Sequence, residues 1–384
     1  MVRATSESVT LIRPSKAAAA IECSATLTLT VGMAETSSSY AKEGSAAHHA
    51  AEQILLGRVP PAFVEIDGEE ILITEEMLDA VQPYVDLANS IWEPGDTTKI
   101  EAPVNLAWLW TPLAPPLAVR GTADFVNYSP KTRVLTILDL KFGRGHIVSP
   151  EWNAQEMLYA LGVMGELKEQ PEIIRLMICQ PRAPGETVKV WEIGVKALLD
   201  WFHAVFIPAV NRIAAGDTTE KINDGCRWCL RKSECGALRE QSLAVAKSQF
   251  SAHPMPTAEM SGAELADVLT KAEIVSIFVE GVRAEAQRRL ESGGAVPGFM
   301  LQPKRATRRW ISNDDATAAL LGAGISPDDV LSPAEIRSPA QVEKTLKKLG
   351  KTALLQDLVV AVSSGNNVVP TGKARGGVDA ISDS

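Results

Sequence analysis

Between residues 104 and 141 the chain abandons the helical spacing of its flanks. It turns instead to β-branched and aromatic residues interrupted by Pro and Gly. Residues 104–110, 118–128 and 133–141 read as three strands. Ser129-Pro130-Lys131-Thr132 is a turn sequence, so the last two strands are expected to pair as an antiparallel hairpin. Helical patterns precede them at 41–56 and 74–92, the second stopping before Pro94-Gly95. A helix at 150–166, strands at 173–180 and 187–195 and a helix at 196–215 follow. Strands bracketed by helices in this order predict an α/β fold with a mixed central sheet flanked by helices.

At 384 residues the chain exceeds what one ordinary core supports, so a further region is expected. Ser261-x-x-Glu264 is a capping box that opens a helix over 261–290, which closes at Gly293-Gly294. A strand near 299–310 and helices at 313–323 and 339–349 complete a mainly helical accessory region. The expected division is a first domain over 1–240 with a loose lead-in at 1–35, an accessory region over 241–362 and a mobile tail over 363–384. The longest apolar runs, such as 204–210 and 358–362, fall short of the ~20 residues a membrane span needs. The brief run at 17–21 lacks the form of a secretory signal. A cytoplasmic protein with no membrane partner is expected.

Asp124 lies on the second strand of the triplet, and Asp139-Leu140-Lys141 ends the third. Residues two apart on a strand share a face, so Asp139 and Lys141 project together and Asp124 can approach them across the hairpin. Two carboxylates and an ammonium suit phosphodiester hydrolysis: the acids hold Mg²⁺ or Mn²⁺ and the lysine steadies developing charge. A surface hairpin with its charges in water explains the same residues taken alone. His48 and Glu52, at i and i+4 on the first helix, share a face, while the neighbouring His49 is expected to point elsewhere.

The order of these residues resembles the RecB-like branch of the PD-(D/E)XK nuclease superfamily, which includes AddB and the CRISPR-adaptation nucleases. The matching residues are Gly44-x-x-x-His48, Gly121-x-x-Asp124, Asp139-x-Lys141 and Gln155-x-x-x-Tyr159, each on the element type that branch uses. The acid before the lysine is Asp where Glu is commoner. The resemblance implies a PD-(D/E)XK nuclease fold. It further implies that His48, Asp124, Asp139 and the Leu140 carbonyl are metal ligands, that Lys141 assists the attacking water, and that Gln155 and Tyr159 position Lys141 or a DNA strand. A net charge of −9 argues against a protein that coats nucleic acid non-specifically, but a nuclease needs only a local basic channel.

Cys226-x-x-Cys229-x5-Cys235 places three of the five cysteines within ten residues, beside Trp228. That density of soft ligands in an intracellular chain suggests a metal or cluster site. Of the other two, Cys179 lies in an apolar strand as an ordinary buried thiol, which leaves Cys23 as the fourth ligand. One cysteine before the core and three after it resembles the RecB-like nucleases that carry a 4Fe-4S cluster. Structural Zn²⁺ on four thiolates is the competing occupant.

The chain is also similar, through Ser39–Gly44, Arg308-Arg309-Trp310 and Ser338–Lys344, to phage-encoded proteins grouped only as a domain of unknown function. Their resemblance implies a partner of single-strand annealing proteins, and hence an exonuclease that resects DNA ends for recombination. A catalytically silent DNA-binding or assembly subunit and an endonuclease are the alternatives. Two basic clusters, Lys304, Arg305, Arg308, Arg309 and Lys344, Lys347, Lys348, Lys351, suit either DNA phosphates or a solvated face.

Overall fold

The computed structural model describes residues 10–33, 37–106, 109, 117–249, 257–303, 307–310, 312–332, 335–336, 339–356, 358–362 and 366–370. It divides into two units, 1–278 and 279–384, where sequence patterns suggested a boundary near 240.

Residues 10–33 of the expected loose lead-in are structured. Thr10–Ile12 form strand β1, Pro14–Glu22 helix α1 and Ala25–Thr28 the short α2. Proline at the start of α1 costs no hydrogen bond, since the first N–H groups of a helix have no internal partner. The helix packs very closely: a Cβ on Gly121 would lie 2.9 Å from Pro14 Cδ, and one on Gly225 2.4 Å from Ala19 Cβ. Both positions therefore require glycine.

Helices α3 (Ser39–Leu55) and α4 (Glu75–Ile91) lie where the spacing places them. Each opens on a hydroxyl cap, Ser38 accepting from the Ala41 N–H and Thr74 from the Met77 N–H. Between them β2 (Phe63–Ile66) and β3 (Glu69–Leu72) form an antiparallel hairpin. It turns on Asp67-Gly68, both at positive φ, the geometry such tight hairpins favour.

The central sheet has six strands. To β1 it adds β4 (Thr97–Asn105), β5 (Leu117–Ser129), β6 (Val134–Leu140), β7 (Ile173–Cys179) and β8 (Val188–Gly194), with helix α5 (Ala154–Met164) between β6 and β7. The order is β1-β5-β6-β7-β8, and β4 also pairs with β5. The β1–β5 and β6–β7 pairs are parallel; β4–β5, β5–β6 and β7–β8 are antiparallel. The sheet is thus mixed, as expected, and the β5–β6 hairpin is present. The first strand of the triplet starts at Thr97, ahead of 104, and residues 107–108 and 110 of its expected range lie outside the described residues.

Helix α6 (Val195–Trp201), a π-helical turn at Phe202–Phe206 and α7 (Ile207–Ala214) occupy the range of a single expected helix. Alternation along β6 splits the core into two layers. Leu135 and Ile137 pack with residues of α1, α5 and α7, while Leu138 and Leu140 pack with α3 and α4. A short 3₁₀ turn at Asp224–Trp228, α8 (Gly236–Gln249) and α9 (Gly262–Glu291) follow, and the division between units falls within α9. The capping box forms as expected, Glu264 N–H donating to Ser261 Oγ and Ser261 N–H to the Glu264 carboxylate.

In the second unit the single strand expected over 299–310 is two, β9 (Phe299–Pro303) and β10 (Thr307–Trp310). Next come α10 (Asn313–Gly322), α11 (Pro327–Val330), the small β11 (Leu331–Ser332) and β12 (Glu335–Ile336) pair, and α12 (Pro339–Leu349). Strand β13 (Val359–Val362) pairs with β10, and β14 (Asn366–Pro370) pairs with β9. Part of the expected tail is therefore a strand, and this unit is more β-rich than expected. Residues 371–384, together with Lys304 and Arg305 of one basic cluster, lie outside the described residues. Trp310, Leu320, Val342 and Leu346 form the unit's core. Among the described residues no helix is long and apolar enough to cross a membrane.

Candidate functional site

The sheet opens at one level. Strands β5 and β6 pair from Ser129 opposite Val134 to Phe125 opposite Leu138 and then part. At the same level the β4–β5 ladder passes from Ile100 opposite Phe125 to Ala102 opposite Ala123, skipping Glu101 and Asp124. In a regular strand residues two apart share a face. Here Ile100 and Phe125 pack in the α3–α4 layer, whereas Ala102 and Ala123 pack in the α1–α5 layer. Glu101, at φ 50°, makes the switch in β4. In the gap, Asp124 Oδ2 accepts from the Leu140 N–H at 2.8 Å and lies 3.2 Å from His48 Nδ1 of α3.

On the other side of the gap Lys141 Nζ lies 2.6 Å from Asp139 Oδ2 and donates to Gln155 Oε1 at 3.2 Å. The Gln155 amide in turn donates to Asp139 Oδ1 at 3.3 Å and to the Tyr159 hydroxyl at 2.9 Å. Asn153 caps α5 by accepting from the N–H groups of Gln155 and Glu156, which fixes the first turn that presents the glutamine. His48, Asp124, Asp139, Lys141, Gln155 and Tyr159 all line one cleft. Leu140 borders the site through its committed N–H and lines a small adjoining pocket with His48 and Asp124. His49, expected to point elsewhere, also lines the cleft, 3.5 Å from Glu52.

The charges are strongly coupled. Burial alone would lower the His48 pKa, but the Asp124 carboxylate outweighs it and pushes it up to about 9. Burial works against ionised Asp124, yet His48 and Lys141 hold its pKa below the usual carboxylate range. Asp139 goes the other way, raised by burial that Lys141 only partly offsets. Lys141 resists burial through Asp139 and is raised, so its ammonium keeps its proton at any working pH.

Three residues that no spacing motif marks belong to this environment. Glu101 joins His48 and Asp124 as a trio whose ligand atoms all lie within 4.8 Å of one another. Burial, then Asp124, pushes its carboxyl up to about 7. Tyr84 of α4 is 2% exposed and lines the same small pocket, its pKa raised by burial and by the Asp124 charge. Glu156 is fully buried next to Gln155, and burial, then the nearby Asp139 charge, raises its pKa well above normal. Only its place after Gln155 on a helix buried nearly all round could have marked it.

A second constellation lies in the same unit. Cys23, at the C-terminal cap of α1, lines one pocket with Cys226, Cys229 and Cys235. Backbone N–H groups point at the sulfurs: Lys221 at Cys23, Asn223 at Cys226 and Leu238 at Cys235, each at 3.4 Å. Burial raises the pKa of Cys226, Cys229 and Cys235, so these thiols keep their protons until a cation displaces them. Lys221, Arg231 and Lys232 line the same pocket. Cys179 lies apart, wholly buried in β7 within the α3–α4 layer, its thiol pushed up to about 11 by burial. Trp228, between the first two clustered cysteines, meets His146 edge-on at 5.6 Å, and the His146 carbonyl accepts from Gln180 at 2.6 Å. The cysteine loop thus touches the segment that follows Lys141.

A family model described as a protein of unknown function, DUF2800, matches residues 10–376, and the chain belongs to that family. Among solved structures the chain is similar to one described as the crystal structure of SSO0001. That likeness has 11% identity and a TM-score of 0.32, and covers 61% of this chain and 89% of the other.

Proposed function

We propose that this protein is a divalent-metal-dependent DNA nuclease with a RecB-like PD-(D/E)XK core, acting as an exonuclease. The observation that carries this reading is the junction at the parted β5 and β6 strands. There Asp124, Asp139 and Lys141 meet at one cleft with His48, and Gln155 braces Lys141 and Asp139 from α5. His48, Asp124 and Asp139 would hold Mg²⁺ or Mn²⁺, with the Leu140 carbonyl as a further ligand. Oxygen donors with one imidazole fit those ions. When bound, the ion supplies Lewis acidity toward the phosphate and an acidified water.

The chain's own groups do the rest. Lys141, paired as an ammonium with Asp139, would face the negative charge that grows on the scissile phosphate and steady it. Gln155 holds the lysine in place, and Tyr159 orients the glutamine. His48 must shed the proton that Asp124 favours before it can ligate, so ion and proton compete for it.

A 4Fe-4S cluster is proposed on Cys23, Cys226, Cys229 and Cys235. Support comes from the backbone N–H groups aimed at the sulfurs, the basic rim and the spread of the thiols. Tetrahedral zinc would need sulfurs about 3.8 Å apart, from Zn–S bonds of about 2.3 Å. Among the described residues no set of three cysteines gathers its sulfurs within 4.8 Å. The wider ring favours the larger occupant. A single-strand annealing protein is the proposed partner, with resection of ends for recombination as the role.

The deciding experiment incubates the protein with Mn²⁺ or Mg²⁺ and end-labelled linear and circular DNA. Nucleotides released from linear DNA alone are expected. Cutting of circles would make it an endonuclease, and intact DNA in both tubes would leave a silent subunit.

A further inference from the structure

Glu101 has no part in the ligand set just proposed. We propose that Glu101 is itself a ligand of the divalent cation, forming with His48 and Asp124 the α3 side of the coordination sphere, and that the bend in β4 exists to deliver it. The need for a catalytic cation rests on the nuclease reading above.

The three side chains already bring their ligand atoms within 4.8 Å of one another. In a six-coordinate Mg²⁺ or Mn²⁺ sphere with bonds of about 2.1 Å, donors lie about 3 to 4.2 Å apart, so modest side-chain movement closes the trio on an ion. Asp139 has both oxygens engaged by Lys141 and Gln155. The Glu101 carboxylate, only partly exposed, has no hydrogen-bond or ion-pair partner among the described residues. It is an unengaged acid beside His48 and Asp124.

An independent sign comes from Tyr84. Its side chain is 2% exposed, lines the pocket formed by His48, Glu101 and Asp124, and has no hydrogen-bond partner among the described residues. Its ring is buried while its hydroxyl keeps an opening to the pocket, near enough to Asp124 and Glu101 to feel their charges, so it is free to donate to whatever occupies that space. A cation-bound carboxylate, or a water on the ion, would be such an occupant.

Backbone conformation fits the same assignment. Residue 101 sits mid-strand at φ 50°, which glycine adopts freely and a residue with a Cβ only with strain. Glycine would make the bend more easily, so a glutamate there is accounted for by what its carboxylate does.

The test is Mn²⁺ titration of the full chain, read from loss of the free-ion electron paramagnetic resonance signal, together with melting of the metal-free protein. Glu101→Gln is expected to weaken Mn²⁺ binding by at least the roughly tenfold that losing even an outer-shell partner costs. Glu101→Gly should weaken it equally while the metal-free protein melts a few degrees higher, because glycine relieves the strained φ. A purely structural role moves these readouts the opposite way: melting falls and affinity stays. Mn²⁺ affinity within about twofold of wild type in both variants, while Asp124→Asn loses the ion, would remove Glu101 from the site and spare the nuclease reading. A wild-type chain that binds no Mn²⁺ would overturn both.

Discussion

The carboxylate cleft and the cysteine pocket are held together in different ways. In the cleft the two central carboxylates have protein counter-charges: His48 faces Asp124 and Lys141 faces Asp139. In the pocket four cysteines ring a space, backbone N–H groups point at three of the sulfurs, and burial keeps Cys226, Cys229 and Cys235 protonated until a cation displaces the protons. The cleft is therefore preassembled by its own ion pairs. The pocket's walls come from opposite ends of the first unit and are joined by backbone contacts such as Lys221 N–H on Cys23 and Ala25 N–H on the Thr219 carbonyl, to which an occupant bound by all four sulfurs would add a further tie. On the proposed reading, losing the metal at the cleft should cost activity, and losing the occupant of the cysteine pocket should cost stability.

The sharpest break between the two is catalytic. Asp139→Asn and Lys141→Ala are each expected to lower single-turnover DNA cleavage by about a hundred- to a thousandfold, while iron content stays at the wild-type level. Their effects should not add, since the two side chains act as one pair. Near-normal cleavage by Asp139→Asn in Mn²⁺ would sink the active-site assignment.

Next in size is the effect of opening the cysteine ring. Anaerobically purified protein should be brown, and Cys23→Ser should bleach it and lower its melting temperature by roughly 5 to 10 °C. That shift corresponds to the several kcal/mol that closing a very long loop is worth by analogy with a disulfide. Cys226→Ser should match it. Cys179→Ser should keep its iron, because that thiol is a core residue of β7. A coloured Cys23→Ser variant, or stoichiometric zinc without iron, would erase the contrast between the sites.

Smallest is a pH effect confined to the cleft. In metal-free protein the raised His48 pKa means its pairing with Asp124 stabilises the fold fully below the unfolded value near 6.5. That contribution fades as pH rises through about 9. Urea melts at pH 6 and pH 9.5 should show this loss, and His48→Gln should abolish the difference. An equal pH response in His48→Gln would place its source elsewhere.

The motif residues were legible because strand and helix periods fix which side chains meet. Asp139 and Lys141 are two apart at a strand end, and Gln155 and Tyr159 four apart on α5. The β5–β6 hairpin followed from its turn sequence. What escaped had weak or non-local causes. Helix α1 is built on an alanine run with little periodic contrast, and its place depends on glycines more than 100 residues away at 121 and 225. The β2–β3 hairpin was signalled only by Asp67-Gly68. Glu101 escaped because a positive φ at a glutamate has no sequence signature. In the second unit β9 and β10 each pair with a strand some 50 to 70 residues downstream, so one long strand and two short ones read alike.

Cys23 also sets a schedule. It leaves the ribosome about 200 residues ahead of Cys235. At the ~5–20 residues per second of translation, that is on the order of 10 to 40 s in which the first thiol waits without its companions. Strand β1 waits as well, because its partner β5 begins only at Leu117. During that interval the start of the nascent chain depends on whatever shields it, and if the proposed cluster is the occupant, cells poor in iron or under oxidative stress should accumulate chains that stall at this stage and are degraded. Yield of the folded protein would then track the iron supply of the growth medium more steeply than it tracks the supply of magnesium or manganese.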